Sequence, residues 1–424
     1  MYQYNRCLFG LKYRLNTEEW NKNYFSWFFV AFPMLWAAFF AAALPSATVA
    51  DEKAIAIGLD ADFSGNAPQS GESIRRGILL AIDEINAAGG VLGRPLELVS
   101  RDNRGIPARG GDNLDELLKL ENLVALVGGL HSPVVMAQLD VVHENQLIYF
   151  SAWAAATPVI DNGHDPNFVF RVSVRDEFAG GFLVQAALDR GFSQPGLLLW
   201  KSGWGLSNER AMRNAMARAE IKPVGIEWFN STEQDLSRQI DRLRRAGADV
   251  IMLVANPDEG LAAVRAVAAL PKNERLSLIS HWGITGDDFF HRDADAIGSV
   301  DLEFLQTFSF YNPPFPDRAE KVSAAYCTAF GGCSTKGDII SPVGTAHAYD
   351  IVKMLVMAIE RAGTTERGDV RDALENLGRY DGLVRTYDPP FTPQRHDALD
   401  ASDFQMARFG PKGEILPIPH LALR

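Results

Sequence analysis

Apolar positions near residue 55 follow a strand-like spacing and then change to a helical one. Residues 55–59 carry an apolar side chain at every second position, as in a short buried strand. Residues 63–71 are rich in serine, glycine, asparagine and proline, which favours a loop. Isoleucine then recurs at helical spacing, at Ile74, Ile78, Ile82 and Ile85. Gly89 and Gly90 end this helix, and the apolar run from Leu96 predicts the second strand of a βαβ unit.

The alternation of strand and helix continues in two sets. The first set continues with helix Asn113–Leu123, strand Val124–Gly129, helix Ser132–Asn145 and strand Leu147–Phe150. The second has strands Gly196–Trp200, Val224–Phe229, Asp249–Val254 and Leu276–Ile279 and helices from Ser207 and Leu236. After a return crossing at Phe304–Phe310, the pattern predicts a long helix, Ala346–Ala362. Strands that alternate with helices are typical of a parallel doubly wound sheet, so we predict an α/β protein. Beyond Pro389 we expect a loosely structured tail that ends in a strand, Phe404–Phe409.

The amino terminus has the pattern of a secretion signal. Residues 1–23 are positively charged, residues 24–44 are apolar, and small residues precede Asp51. We therefore interpret residues 1–50 as a signal peptide cleaved after Ala50, with export to the periplasm. Mass spectrometry of the exported protein would then find Asp51 at or near its amino terminus. The alternative is a retained membrane anchor, because about 20 apolar residues can span a bilayer.

Bulk properties narrow the class of protein. A chain of 424 residues with 47% hydrophobic and 22% charged residues is globular and long enough for two domains. The formal net charge of −12, with no basic stripe, argues against nucleic acid as a partner. No phosphate-binding glycine loop, nucleophile elbow or zinc motif is present, and His396 beside Asp397 has no accompanying nucleophile. We therefore expect no enzyme activity, no metal and no cofactor.

Two cysteines remain once the leader is removed. Cys7 lies in the predicted signal peptide, which leaves Cys327 and Cys333. Because an exported protein enters an oxidising compartment, we predict a disulfide between them. The alternative is two reduced thiols beside a surface turn.

Three loops of the first set should meet at one edge of its sheet. Open α/β sheets bind ligands at the carboxyl ends of their strands. Ser70 lies in the first loop, His131 and Ser132 in the second, and Ser151 opens the third. Ser132 suits the N-cap of the following helix, whose free N–H groups attract an anion. We expect a ligand there, although a plain helix cap is the alternative.

The phrase Asp83-Glu-Ile-Asn-Ala-Ala-Gly-Gly resembles the periplasmic branched-chain amino-acid and amide binding proteins of ABC transporters. The similarity covers about residues 54–387. It implies the type I periplasmic binding fold, in which two lobes are joined by three crossings and close around a small-molecule ligand. The implied lobes are 51–172 plus 307–381, and 173–306 plus 382–424. It also implies a monomer that delivers its ligand to permease subunits; a sensor that signals without transport is the alternative.

The family's ligand contacts map onto the first lobe with one departure. In the family, the serine of the second loop and the helix behind it hold the ligand carboxylate, and Ser132 matches that serine. Ser151 matches the start of the third loop, and Trp153 stands where the backbone faces the ligand. Ala155 replaces the threonine that meets the ligand ammonium, so a polar anchor is missing.

The second lobe departs further from the family pattern. Trp204 matches the aromatic residue that covers the ligand, and Asn256 lies in a neighbouring strand-end loop. Trp282, beside His281, replaces an acid that often meets the ammonium. We therefore expect an amino-acid-related compound, an amide or an apolar or aromatic carboxylate in preference to leucine, isoleucine or valine, with a quaternary ammonium as the weaker option. The alternative for the three tryptophans is packing in the core.

Overall fold

The computed structural model describes residues 53–231 and 233–419. The first sheet has five parallel strands in the order β2-β1-β3-β4-β5. Its strands are β1 (Ile55–Ala61), β2 (Leu96–Asp102), β3 (Leu123–Gly128), β4 (Ile148–Ser151) and β5 (Val169–Arg171). The helices between them are α1 (Pro68–Ala87), α2 (Pro107–Leu117) and α3 (Ser132–Glu144). β1 and β3 are buried along their whole length, as their apolar runs predict for central strands covered on both faces.

The second sheet repeats this architecture. Its parallel strands are β6 (Pro195–Trp200), β7 (Gly225–Phe229), β8 (Val250–Val254), β9 (Ser277–Ser280) and β10 (Leu302–Gln306). The helices of this half are α4 (Asp176–Asp189), α5 (Gly203–Arg218), α6 (Ser237–Arg245), α7 (Pro257–Ala268), α8 (Phe289–Arg292) and α9 (Ala294–Gly298). The prediction of two doubly wound parallel sheets is confirmed.

After β10 the chain returns to the first sheet. It forms α10 (Pro316–Phe330), α11 (Pro342–Ala362), α12 (Arg367–Glu375) and a small antiparallel pair, β11 (Tyr380–Asp381) and β12 (Thr386–Tyr387). α11 packs closely against α1, where a Cβ on Gly77 would lie 2.2 Å from the carbonyl oxygen of Thr345. Only glycine permits this approach, so the two helices cover the first sheet together. The long helix predicted at Ala346–Ala362 is confirmed and begins one turn earlier.

The carboxyl-terminal segment corrects one prediction. It is not a loose tail: β13 (Gln405–Phe409) and β14 (Ile415–Pro417) complete the second sheet as antiparallel strands. Before them, His396 and Asp397 are buried beside β5, where the backbone N–H of Arg171 donates to the carbonyl of His396. The proline and polar residues of this segment form no periodic pattern that would predict its order. The segment is ordered because its backbone bonds to a strand that is far away in the sequence.

Two other helices differ from their predicted bounds. The helix predicted at Asn113–Leu123 is α2, which starts at Pro107 because proline fits the first turn of a helix. α5 begins at Gly203, before the predicted Ser207, because the Ser202 hydroxyl caps it by accepting the N–H of Gly205.

The predicted disulfide is confirmed, since Cys327 and Cys333 are bonded beside the end of α10. Among residues 53–231 and 233–419, no helix has both the length and the apolar composition that crossing a bilayer requires. The predicted signal peptide at residues 1–50 lies outside the described residues. The lobe boundaries near 172, 306 and 382 stay a prediction, although the chain passes between the two sheets after Arg171 and after Gln306.

Candidate ligand-binding cleft

A small cavity lies where the two halves meet. Its volume is about 10 Å³, room for about one water molecule. The first half lines it with Leu130, His131, Ser132, Trp153 and Ala155, and the second with Trp200, Trp204, Asn256, Trp282 and Gly283. A larger cavity of about 340 Å³ lies near Phe290 and Gly413, but none of the predicted site residues lines it.

Three predicted residues lie beside the cavity without lining it. Ser70 is buried in the first turn of α1, and its hydroxyl donates to the carbonyl of Ala67. The Ser151 hydroxyl donates to the carbonyl of Ala154, so it shapes the third loop. His281 lies behind Trp204, with their ring centroids 5.1 Å apart. Of these three, His281 contacts residues that line the cavity, whereas Ser70 and Ser151 bond to the backbone of their own segments.

Direct contacts between the halves hold the cleft closed. The hydroxyl of Ser207 in α5 accepts the backbone N–H of Thr157, at 3.0 Å. The Ser341 hydroxyl donates to the carbonyl of Thr285, at 2.7 Å. These contacts explain why so little space remains between the halves.

Ser132 has a different role from the predicted helix cap. The N-cap of α3 is His131, whose side chain makes no capping hydrogen bond, and Ser132 is the first helical residue. The Ser132 hydroxyl oxygen instead accepts the backbone N–H of Ala156, at 3.2 Å, and so joins the second loop to the third. The uncapped amino end of α3 still presents its partial positive charge near the cavity.

A buried carboxylate holds His131. The Nε2 atom of His131 lies 3.2 Å from Oδ2 of Asp62, which also accepts the N–H of Ala67. Burial raises the pKa of Asp62, but the hydrogen bond and charge of His131 and two backbone N–H groups outweigh it, and the pKa lies below its usual value. The ionised Asp62 accepts a hydrogen, so Nε2 carries it. Nδ1 of His131 is buried without a partner.

The carbonyls of the third loop already have partners. The Ser173 hydroxyl donates to the carbonyl of Trp153, and the N–H of Asp176 donates to that of Ala155, at 2.7 and 2.9 Å. Arg171 donates to the carbonyls of Ala155 and Ala156. This loop therefore offers a ligand few free acceptors, whereas the buried Nε1 of Trp153 is a donor without a partner.

Four of the ten residues that line the cavity are tryptophans. Trp153 and Trp282 approach from opposite halves, with ring centroids 5.6 Å apart. Trp204 lies in the first turn of α5 and not in a loop. A Cβ on Gly283 would lie 2.7 Å from the Trp204 ring, so glycine is needed there. The three rings are buried, as core packing would require, yet each of them also faces the cavity.

Sequence reasoning missed three residues around the cleft. Trp200 lines the cavity directly. Asp176 is fully buried and accepts the indole N–H of Trp204, at 3.2 Å. His347 bonds Ala152 through Nδ1 and Thr307 through Nε2, and its ring lies 5.7 Å from that of Trp282. Burial lowers the pKa of His347 to about 4, so it is neutral. An acid at a helix start and a histidine within an apolar helix carried no sequence signal of this role.

Among residues 53–231 and 233–419, no group of three His, Cys, Asp or Glu side chains could hold a metal ion. The cavity lining likewise contains no lysine or arginine within the described part of the chain. Its polar groups are the amino end of α3, Ser132, His131, the Trp153 indole and the Asn256 amide, whose Oδ1 is buried without a partner. The residues around the cavity thus offer a ligand flat apolar surfaces and a few polar atoms.

Known proteins resemble this chain over most of its length. A Leu/Ile/Val-binding protein of Rhizobium johnstonii is 24% identical over 316 residues, 74% of this chain and 80% of the relative. A type 1 periplasmic binding protein of Bordetella pertussis superposes with a TM-score of 0.78 at 22% identity, covering 87% of this chain and 100% of that one. An ABC-transporter solute-binding protein of R. palustris in complex with 4-hydroxybenzoate gives 0.74 at 17% identity, covering 86% and 96%.

The family comparison agrees with the architecture. The model of the periplasmic binding protein family matches residues 54–408, which include both sheets up to β13. The structural relatives share the arrangement of two α/β halves. The chain therefore belongs to the periplasmic binding protein family and has its type I fold.

Proposed function

We propose that this protein is the periplasmic solute-binding component of an ABC importer and passes its ligand to permease subunits. The observation that supports the proposal is that residues from both halves, at the ends of their strands, meet around one small cavity. A ligand that contacts both halves favours the closed arrangement over an open one, as reversible capture requires. We expect no chemical change of the bound ligand.

We propose that the ligand is an amide or a carboxylate with an apolar or aromatic body. The tryptophans supply flat apolar surfaces, and the amino end of α3 and the Trp153 indole supply donors for an oxygen atom. Ala155 and Trp282 offer no side-chain acceptor for an ammonium, and the carbonyl of Ala155 is occupied. Since lysine and arginine are absent from the described lining, a single carboxylate or a neutral amide fits better than a diacid.

Free leucine should bind weakly. Burying its ammonium without a carboxylate partner costs several kcal/mol, which corresponds to several decades of affinity. A thermal-shift screen of amino acids, amides, aromatic carboxylates and quaternary amines, followed by calorimetry on compounds that raise the melting temperature, measures this. Sub-micromolar binding of leucine would overturn the proposed ligand class. A preference for quaternary amines would favour cation–π recognition by the tryptophans.

Each cavity tryptophan should contribute to affinity. We expect Trp153→Ala, Trp204→Ala and Trp282→Ala each to weaken binding of the compound selected in the screen by about 1–3 kcal/mol, the scale of a buried aromatic contact. Tyr311→Ala is the control, because Tyr311 is an exposed aromatic residue outside this cavity. Calorimetry with matched unfolding curves separates lost affinity from lost stability. Unchanged affinity in all three variants would place the ligand elsewhere.

A further inference from the structure

Asp176 is buried close to the cleft, although it does not line the cavity. It is the first residue of α4 and follows the passage from the first sheet at β5. Its exposed fraction is 0%. Burying a carboxylate is expensive, so its contacts must compensate.

The carboxylate oxygen Oδ1 contacts two residues of the second half. The indole N–H of Trp204 donates to it at 3.2 Å; Nε2 of His281 lies 3.2 Å away, close enough for contact but without the alignment of a hydrogen bond. The other oxygen, Oδ2, is buried without a partner. A residue needed only to fill space would be apolar, since each unpaired buried oxygen costs free energy.

His281 extends the contact to a second tryptophan. The backbone N–H of Trp282 donates to Nδ1 of His281, at 2.9 Å. Nδ1 therefore carries no proton, and the neutral ring carries its proton on Nε2, the atom that faces Asp176. One carboxylate thus contacts Trp204 directly and reaches Trp282 through the imidazole.

The backbone of Asp176 contacts the opposite side of the cleft. Its N–H donates to the carbonyl of Ala155, at 2.9 Å, and Ala155 lines the cavity from the first half. Asp176 thus contacts residues on both sides of the cleft at the point where the chain passes between the halves.

We propose that Asp176 is a positioning residue that sets the orientation of Trp204 directly and of Trp282 through His281. That these rings form a ligand site rests on the proposed function, whereas the positioning itself does not. In the wild-type protein the Trp204 indole N–H is hydrogen-bonded and protected from solvent exchange. Loss of the carboxylate frees Trp204 and weakens the support of Trp282.

The test uses indole ¹⁵N–¹H resonances of the ligand-free protein, assigned with Trp204→Phe and Trp282→Phe. Asp176→Leu, which removes the acceptor, should shift both resonances and speed exchange of the Trp204 indole at least tenfold. Asp176→Asn keeps an oxygen at Oδ1 and should preserve both resonances. The matched control is Glu177→Gln at the next, exposed position, which should move neither. Unmoved resonances in Asp176→Leu would overturn the proposal, as would equal changes in Asp176→Asn and Asp176→Leu.

A second variant covers the case in which Asp176→Leu does not fold. His281→Gln should move the Trp282 resonance and leave the Trp204 indole bonded to Asp176. Movement of the Trp204 resonance alone would contradict the proposed route through His281. None of these measurements requires a ligand. If no compound in the screen binds, the proposed function is contradicted. The resonances of the ligand-free protein still test the role of Asp176 separately.

Discussion

Asp397→Ala should lower the free energy of unfolding by about 3–5 kcal/mol, the usual cost of removing one partner of a buried ion pair. Oδ1 of Asp397 accepts a hydrogen bond from Nε of Arg171, at 2.5 Å. Its Oδ2 accepts one from a guanidinium nitrogen of Arg175, at 3.1 Å. Arg171 is fully buried and lies at the end of β5, where the chain leaves the first sheet. Without Asp397, the buried guanidinium of Arg171 would lose its carboxylate partner and retain its hydrogen bonds to the carbonyls of Ala155 and Ala156.

Asp161→Ala is the matched control for this variant. Asp161 also pairs with Arg175, at 2.5 Å, but 56% of its side chain is exposed. An exposed ion pair contributes about 0–1 kcal/mol, so this variant should unfold almost like the wild type. Urea unfolding followed by circular dichroism compares the two. A loss below about 1 kcal/mol for Asp397→Ala would show that water or a rearranged side chain neutralises Arg171.

Asp350→Ala should destabilise the hairpin of β11 and β12, where the chain approaches the carboxyl-terminal segment. The fully buried Asp350 accepts the backbone N–H groups of Leu383 and Val384, at 2.6 and 2.9 Å, and the Tyr387 hydroxyl, at 2.9 Å. Each buried N–H left without a partner costs about 1–3 kcal/mol. Urea unfolding at pH 7 measures the loss. Asp381→Ala, at a half-buried position of the same hairpin, should cost less than about 1 kcal/mol.

The cost of Asp350→Ala should also depend on pH. Burial raises the pKa of Asp350 to about 6, above its usual 3.8. Between these values the folded protein binds a proton that the unfolded chain releases, so this stabilisation is complete below the lower pKa and is lost as pH rises through the higher one. The difference in unfolding free energy between wild type and variant should therefore be larger at pH 5 than at pH 7. A difference that grows with pH would contradict the raised pKa.

Asp397 and Asp350 show how the chain after α11 is held in place. Asp397 bonds to arginines near β5, and Asp350, on α11, bonds to the backbone between β11 and β12. Each contact joins residues that are distant in the sequence. A stretch of prolines and polar residues has no periodic pattern from which packing could be predicted. Contacts with distant residues, such as these, show that the stretch is packed.

The positions of the strand ends in the sequence predict where the candidate cleft lies, but not the contacts within it. Loops after parallel strands meet at one edge of a sheet, and this rule predicts that His131, Trp153 and Trp204 lie near a ligand site. The resemblance to a family supplied the matching positions in the other half. The sequence does not predict hydrogen-bond partners. The pattern predicts that Ser132 caps its own helix, whereas its hydroxyl accepts the backbone N–H of Ala156 in the next loop.

The sequence by itself determined the alternating strands and helices, the long helix α11 and the pairing of Cys327 with Cys333. These features depend on local periodicity, on glycine at helix ends and on counting. The tertiary structure alone decided that Asp176 supports Trp204, that Asp62 holds His131 and that Asp397 neutralises Arg171. The physical reason is that burial and charge pairing arise between segments far apart in the chain, so no local pattern records them.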